Sequence, residues 1–411
     1  MKILWITNVI LPQISELSGE PKCPFAGWLV DLFSRLTEDG HQMFSLFPYE
    51  RELHGAGKNV KYRSFHERNC EKQIENVILE EHPDMIHIWG TEYKHGRNAV
   101  HIAEKLNCID HVVINIQGLI SECANYYTTH LPARVVRRFT LRDFLKRDNI
   151  RINARRYVRR GKEEIKALRK VKQVIGRTDW DQACMYAINP AAKYYFCNAT
   201  LRNVFYKRKW SLEHCERHSV FVSQSNYPIK GVHFLLEAVA ILKKEYPDIK
   251  IYTTGRSAIG LSFKERLLQT SYGKYLTELI KKYSLEKNIR FLGTLDEEEM
   301  CEQYLNTHVF VSSSSIENES NALGEAMLLG VPSVASYVGG VTNEIEHKKE
   351  GLLYPYDEPK VLAYYIKKIF DDDALALRFS ESARKRAAET YDAENNYQTL
   401  ISIYRNVCAL Q

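Results

Sequence analysis

Two carboxylates with seven residues between them, Glu317 and Glu325, stand out in Glu317-Asn318-Glu319-Ser320-Asn321-Ala322-Leu323-Gly324-Glu325, a stretch followed by Gly330-Val331-Pro332. The apolar spacing from Ala322 to Leu329 predicts a helix that stops at Gly330, with Glu317 in the preceding loop and Glu325 in its first turn or so. The first amides of a helix have no intrahelical acceptor and lie at the positive end of its dipole. Those of Ser320, Asn321, Ala322 and Leu323 are therefore expected to meet phosphate oxygens. A carboxylate on either side can accept hydrogen bonds from sugar hydroxyls. Taken singly, Glu317 is a solvated loop acid and Glu325 a charge favoured by a helix start. Their joint spacing points to a site for a diphosphate and two hydroxyl-bearing rings.

Other residues offer compatible chemistry. Lys230 precedes Gly231 and the apolar run Val232-His233-Phe234-Leu235-Leu236, so its compact ammonium sits at a helix start. Gly27 opens the run Trp28–Leu36 and lets backbone approach a ligand closely. Gln117-Gly118 follows an apolar strand; Gln117 donates and accepts hydrogen bonds but cannot act as a base. Glu92 and His95, in Trp89-Gly90-Thr91-Glu92-Tyr93-Lys94-His95-Gly96, follow another strand, where they are placed to face a second substrate, although a lone loop histidine is more often a surface residue.

These residues need elements to hold them. The first half reads as strand–helix alternation: Ile3–Thr7, Met43–Leu46, Asp84–Gly90 and His111–Gly118, then Gln173–Arg177 and Lys193–Asn198. The pattern restarts at Ser219–Ser223 and continues through Lys250–Gly255, Ile289–Gly293, Val309–Ser312 and Ser333–Ser336. Such alternation implies parallel sheets covered on both faces, and 411 residues suit two domains of roughly 200 each. The expected division is 1–210, with a basic helical insertion at about 130–172; 211–385; and a carboxy-terminal helix at 386–411 packing back on the first domain. Ligands of open α/β sheets bind at the carboxyl ends of the strands.

Here the sequence resembles a known family. Glu-x7-Glu with Ala326-Met327, Gly330-Val331-Pro332 and Ser336-Tyr337-Val338-Gly339-Gly340-Val341 looks like the donor-site motif of the family 4 retaining glycosyltransferases. The likeness extends to Gly27, Lys230-Gly231 and Phe291-Leu292-Gly293. It implies a GT-B fold, two Rossmann-like doubly wound domains facing a central cleft, and a nucleoside-diphosphate sugar as donor, with UDP the expected nucleotide. Carried over, Glu317 meets the donor sugar, Glu325 the ribose and the intervening amides the diphosphate. Lys230 stabilises the leaving group, and the Gly27 loop lies beside the diphosphate or acceptor. The family usually has an arginine a few residues before the lysine, where this chain has Ser223-Gln224-Ser225-Asn226-Tyr227; Arg177 or Arg202 from the other domain is a substitute. Gln117-Gly118 stands where the family often has His-Gly.

Charge adds one further expectation. Arg134–Arg177 carries 17 Lys and Arg against four acidic residues, a local +13 within a chain of net +6, so one surface is expected to meet an anionic partner. Phe139, Leu141, Phe144, Leu145 and Tyr157 interleave with the arginines, which favours an anionic membrane surface or lipid-linked saccharide over nucleic acid. No apolar run approaches the roughly 20 residues of a membrane span, and the nine cysteines form no Cys-x-x-Cys or zinc-spaced cluster. A cytoplasmic enzyme, peripheral on the membrane, is expected. It needs no cofactor, and no metal, since no Asp-x-Asp cluster lies in a suitable loop. The alternatives are a nucleotide-sugar epimerase of the same fold and a catalytically silent subunit that binds a partner transferase. No Gly-x-Gly-x-x-Gly follows a strand, which argues against a dehydrogenase.

Overall fold

The computed structural model describes residues 1–21, 23 and 27–409, the side chain of Trp28 excepted. The chain divides into two compact units. One comprises Met1–Ser121, Arg160–Leu201 and Tyr391–Gln411, the other Glu122–Arg159 and Arg202–Thr390. The division differs in detail from the sequence reading: 122–159 of the basic segment goes with the second unit, and Arg202 is already part of it.

The first unit is built on β1 (Lys2–Ile6), β2 (Gln42–Pro48), β3 (His54–Gly57), β4 (Val60–Phe65), β5 (Met85–Trp89), β6 (Val112–Asn115), β7 (Gln173–Gly176) and β8 (Lys193–Phe196). Their order is β3-β4-β2-β1-β5-β6-β7-β8; every pairing is parallel except the β3–β4 hairpin. The continuous apolar run of β1 reflects burial on both faces. Ile3 and Trp5 enter one cluster with Phe33, Trp89 and Leu400, while Leu4 and Ile6 enter the other with Ile74, Val100 and Leu168. Burying a large apolar side chain of this kind contributes roughly 1.5–3 kcal/mol. The helix Ala393–Cys408 supplies Tyr404, whose hydroxyl accepts the indole N–H of Trp5 at 3.0 Å.

The second unit holds β9 (Glu216–Val222), β10 (Lys250–Thr253), β11 (Ile289–Phe291), β12 (Thr307–Ser312), β13 (Ser333–Ser336) and β14 (Leu352–Tyr354). They form an all-parallel sheet of order β11-β10-β9-β12-β13-β14. Each sheet reverses strand order at one place, between β1 and β5 in the first unit and between β9 and β12 in the second. The loops leaving those strands splay apart and open a crevice there.

Candidate active site

At the β9/β12 reversal, two loops are laced together by backbone. The Ser315 amide donates to Ile229 O at 2.7 Å, and Ser313 Oγ donates to Lys230 O at 2.8 Å. Such proximity explains the glycine after the lysine. Gly231 has φ +66°, and a Cβ there would lie 1.8 Å from Ser313 O. Lys230 Nζ is thereby brought to 2.7 Å from Glu317 Oε2, which also accepts from Ser314 Oγ at 3.0 Å. Both side chains are largely buried, yet each keeps about a fifth of its surface open. Burial alone would depress the lysine; the Glu317 carboxylate outweighs it and holds the ammonium above its ordinary value. Lys230 is therefore a fixed positive charge throughout the physiological range.

The Glu317 backbone is seated from the other side. Gly340 N donates to Glu317 O at 3.1 Å, and Gly339, at φ +48°, leaves no room for a Cβ, which would fall 1.9 Å from the same oxygen. The glycine pair after β13 thus acts as a mould for the Glu317 loop.

The helix Asn321–Leu329 follows, ending as its sequence predicts on Gly330 in the left-handed conformation. Ser320 is its N-cap and accepts from Leu323 N at 3.3 Å, while the Ser320 amide donates to buried Glu344 at 2.6 Å. The Ser320 and Leu323 amides, both expected to meet phosphate, are thus bonded within the protein; Asn321 and Ala322 begin the helix. Glu325 is buried on this helix, and Arg202 grips it through Nε and a terminal nitrogen, both 2.8 Å from Oε1. Burial raises the Glu325 carboxyl to about 7, Arg202 countering only part of the effect. Among the described residues nothing hydrogen-bonds Oε2.

Where the family's arginine would precede Lys230, the segment is tied to its neighbours: Ser225 Oγ donates to Thr254 O at 2.8 Å, and Asn226 Oδ1 accepts from Arg256 N at 3.2 Å. The Phe291-Leu292-Gly293 corner is held by Gly255 N donating to Gly293 O at 2.9 Å. Arg202 was weighed as a contribution from the first domain; it lies in the second unit, beside the carboxylate.

The first unit places its candidates differently. Gly27 is the first residue of the helix Gly27–Glu38, and residues 24–26, just before it in sequence, lie outside the described residues. His95 is buried in the helix Lys94–Lys105, its Nε2 2.8 Å from Asn8 Oδ1. Burial lowers its pKa to about 4, so it is a neutral structural ring. Gln117 Oε1 accepts from Arg177 at 3.0 Å, and Gln117 Nε2 donates to Asn115. Glu92 Oε2 is buried without a hydrogen-bond partner, and burial pushes this carboxyl up to about 7.

Sequence reasoning offered Arg202 as a phosphate ligand and not as the partner of Glu325, and it missed Glu344 on the Ser320 amide and Glu164. Glu164 takes the backbone amides of Ile120 and Ser121 at 3.2 and 2.8 Å and a hydrogen bond from Thr91 Oγ. None has a local signal, since each partner lies at least 24 positions away.

Residues 205–386 match the model of the family described as glycosyl transferases group 1, a stretch that contains Lys230, Glu317 and Glu325. A D-inositol 3-phosphate glycosyltransferase from Corynebacterium urealyticum is 31% identical over 182 residues, covering 44% of this chain and 41% of that protein. The putative glycosyltransferase YtcC of Bacillus subtilis is 24% identical over 204 residues, covering 49% and 48%. The chain thus spans under half the length of these curated relatives. Among solved structures, sucrose-phosphate synthase from Thermosynechococcus elongatus aligns over 100% of both chains with a TM-score of 0.72 at 16% identity. Anabaena HepE in complex with UDP and glucose aligns over 99% of this chain and 100% of its own, with a TM-score of 0.67 at 18% identity. The fold is of the GT-B type, and the matches support a glycosyltransferase.

Proposed function

We propose that the protein transfers a glycosyl unit from a nucleoside-diphosphate sugar, UDP being the nucleotide, to a hydroxyl acceptor with retention of anomeric configuration. The observation that carries this reading is the Lys230–Glu317 pair at 2.7 Å, set at the strand-order reversal beside the start of the Asn321–Leu329 helix. Relatives named as glycosyltransferases and a fold neighbour holding UDP and glucose are consistent with it.

In this reading the diphosphate lies against the start of the Asn321–Leu329 helix, Glu325 Oε2 accepts from the ribose, and Glu317 accepts from hydroxyls of the donor sugar. Lys230 balances the charge that grows on the diphosphate oxygen as its bond to the anomeric carbon breaks. The acceptor oxygen forms its new bond to that carbon on the face the diphosphate leaves, and its proton passes to the departing oxygen. Gly27 and the loops after β1 and β5 border the acceptor, a saccharide or lipid-linked saccharide used in bacterial surface polysaccharide or glycolipid synthesis at a cytoplasmic membrane face. No divalent ion takes part.

The test is a thermal-shift series with UDP, GDP and their sugars, because a ligand that binds only the folded state stabilises it by mass action. A shift with a nucleotide sugar, followed by acceptor-dependent release of nucleotide and an NMR assignment of the same anomer in product as in donor, is the expected result. Absence of any nucleotide shift, or conversion of the donor without acceptor, overturns it.

A further inference from the structure

The cations between Arg134 and Arg159 sort into two sets. Arg134 and Arg138 reach Glu278 at 2.9 and 2.7 Å, and Arg142 reaches Asp148 at 2.8 Å. Asp143, fully buried, caps the helix Leu141–Lys146 and accepts the amide of Ser271 at 3.1 Å. These contacts fasten the segment to the body of the second unit. Arg137, Lys146, Arg147, Arg151, Arg155 and Arg159 are exposed and make no ion pair among the described residues. Three of these, Arg151, Arg155 and Arg159, recur every fourth residue and so form one stripe on their helix.

The apolar residues among them are inverted relative to an ordinary surface helix. On Leu141–Lys146 the carboxylate of Asp143 faces inward, while Leu141, Phe144 and Leu145, one face by their spacing, point outward; Phe144 is 71% and Leu145 66% exposed. A second outcrop in the same unit repeats the pattern. In the helix Phe263–Leu267, Phe263 is 80% exposed beside exposed Lys264, Arg266 and Leu267. The two outcrops border one cavity of about 650 Å³, lined by Arg142 from one and by Leu261, Glu265 and Leu268 around the other.

Water is a poor partner for so many projecting apolar side chains. An apolar protein surface would strip water from unpaired cations, and a nucleic-acid backbone would leave the leucines unused. An anionic bilayer accepts both: aromatic and aliphatic groups enter the acyl boundary while Lys and Arg remain at the headgroups. We propose that the Phe139–Leu145 outcrop, together with Phe263–Leu268, is the face by which the second unit seats on an anionic lipid bilayer. The inference deepens the reading of a transferase acting at a membrane, and its test is independent of turnover.

Full-length protein is floated with vesicles of phosphatidylcholine alone or with added phosphatidylglycerol. Expected are partitioning onto the anionic vesicles only, a decline with added salt, and at least tenfold weaker partitioning for the variant combining F144S, L145S and F263S. The pair K146S and R147S should cost about fivefold for each charge removed. Unchanged melting temperatures for these surface variants establish that they fold. Equal partitioning of wild type and the triple variant, absence of binding to anionic vesicles, or preferential capture by oligonucleotides at physiological salt each overturns the proposal. Vesicle binding that persists in a protein showing no nucleotide-sugar turnover supports the lipid face and sinks the transferase reading instead.

Discussion

The two strand-order reversals occupy equivalent places in their sheets but use charge in opposite ways. At β9/β12 the charged groups are short-range partners with an atom to spare: Lys230 holds one oxygen of Glu317, and Arg202 holds one oxygen of Glu325. At β1/β5 most are absorbed by the scaffold: His95 is fixed on Asn8, and Glu164 is spent on backbone amides, while Glu92 Oε2 stays buried without a hydrogen-bond partner. A site that binds a charged ligand through its own ion pairs must be assembled before the ligand arrives. A site that recognises a neutral saccharide by hydroxyl contacts can be built from groups whose charge is already spent. In the proposed reading the demanding electrostatics belong to the second unit and shape to the first.

The most severe test of that division is Lys230→Ala or Glu317→Ala. Each should lower turnover by about 10²–10³-fold, with Lys230→Ala also shrinking the thermal shift given by UDP. An equal loss of that shift on Glu92→Ala would break the comparison. Next comes Gly231→Ala, in which a positive φ and a carbonyl at 1.8 Å combine. A cost of about 3 kcal/mol should lower the melting temperature by roughly 6–12 °C for a unit of this size. Gly19→Ala in the first unit, at φ +72° but with nothing within 4 Å, should cost only about 1 kcal/mol. Similar losses for the two would show that the β9/β12 loops are looser than described.

A gentler probe is pH. The folded Glu325 carboxyl sits at about 7, above its unfolded value, so its share of stability is complete below the ordinary glutamate range and disappears as pH rises through 7. Binding has the opposite sign, since ribose hydroxyls donate to the ionised form: affinity for UDP should rise by up to about tenfold between pH 6 and 8. Titration calorimetry on Glu325→Gln should show that slope flattened; an unchanged slope removes Glu325 from the nucleotide site. The smallest expected effect belongs to Glu164→Gln, which weakens the hold on the Ile120 and Ser121 amides. It should cost about 1–2 kcal/mol of stability and leave the Kd for UDP within twofold.

The candidate donor side is legible in sequence because its residues are nearly continuous. Glu317, the helix amides and Glu325 fall within nine residues, and the glycines that shape the loops announce themselves beside Lys230 and after β13. Arg202 was not legible as the partner of Glu325, because 123 residues intervene and an isolated arginine carries no periodicity. His95 reads in sequence as a surface loop residue or a substrate contact; its place on the inner face of a helix is visible only once Asn8 is brought to it. The long apolar strands were readable, whereas β3, His54-Gly55-Ala56-Gly57, has no apolar alternation and exists as the edge partner of β4. β14, Leu352–Tyr354, is too short for periodicity to register.

The Trp5–Tyr404 hydrogen bond joins residues 399 positions apart, and it sets an order of events during synthesis. Leu400, Ile401 and Tyr404 belong to the same cluster as Ile3 and Trp5, so β1 waits for a helix made long after it to complete its packing. Arg202–Thr390, most of the second unit, is made in a single uninterrupted passage during that wait. Domains usually mature in the order of translation; here the unit begun first is finished last. Until then its sheet presents an open apolar face, the interval in which a nascent chain is most exposed to aggregation and most in need of a chaperone.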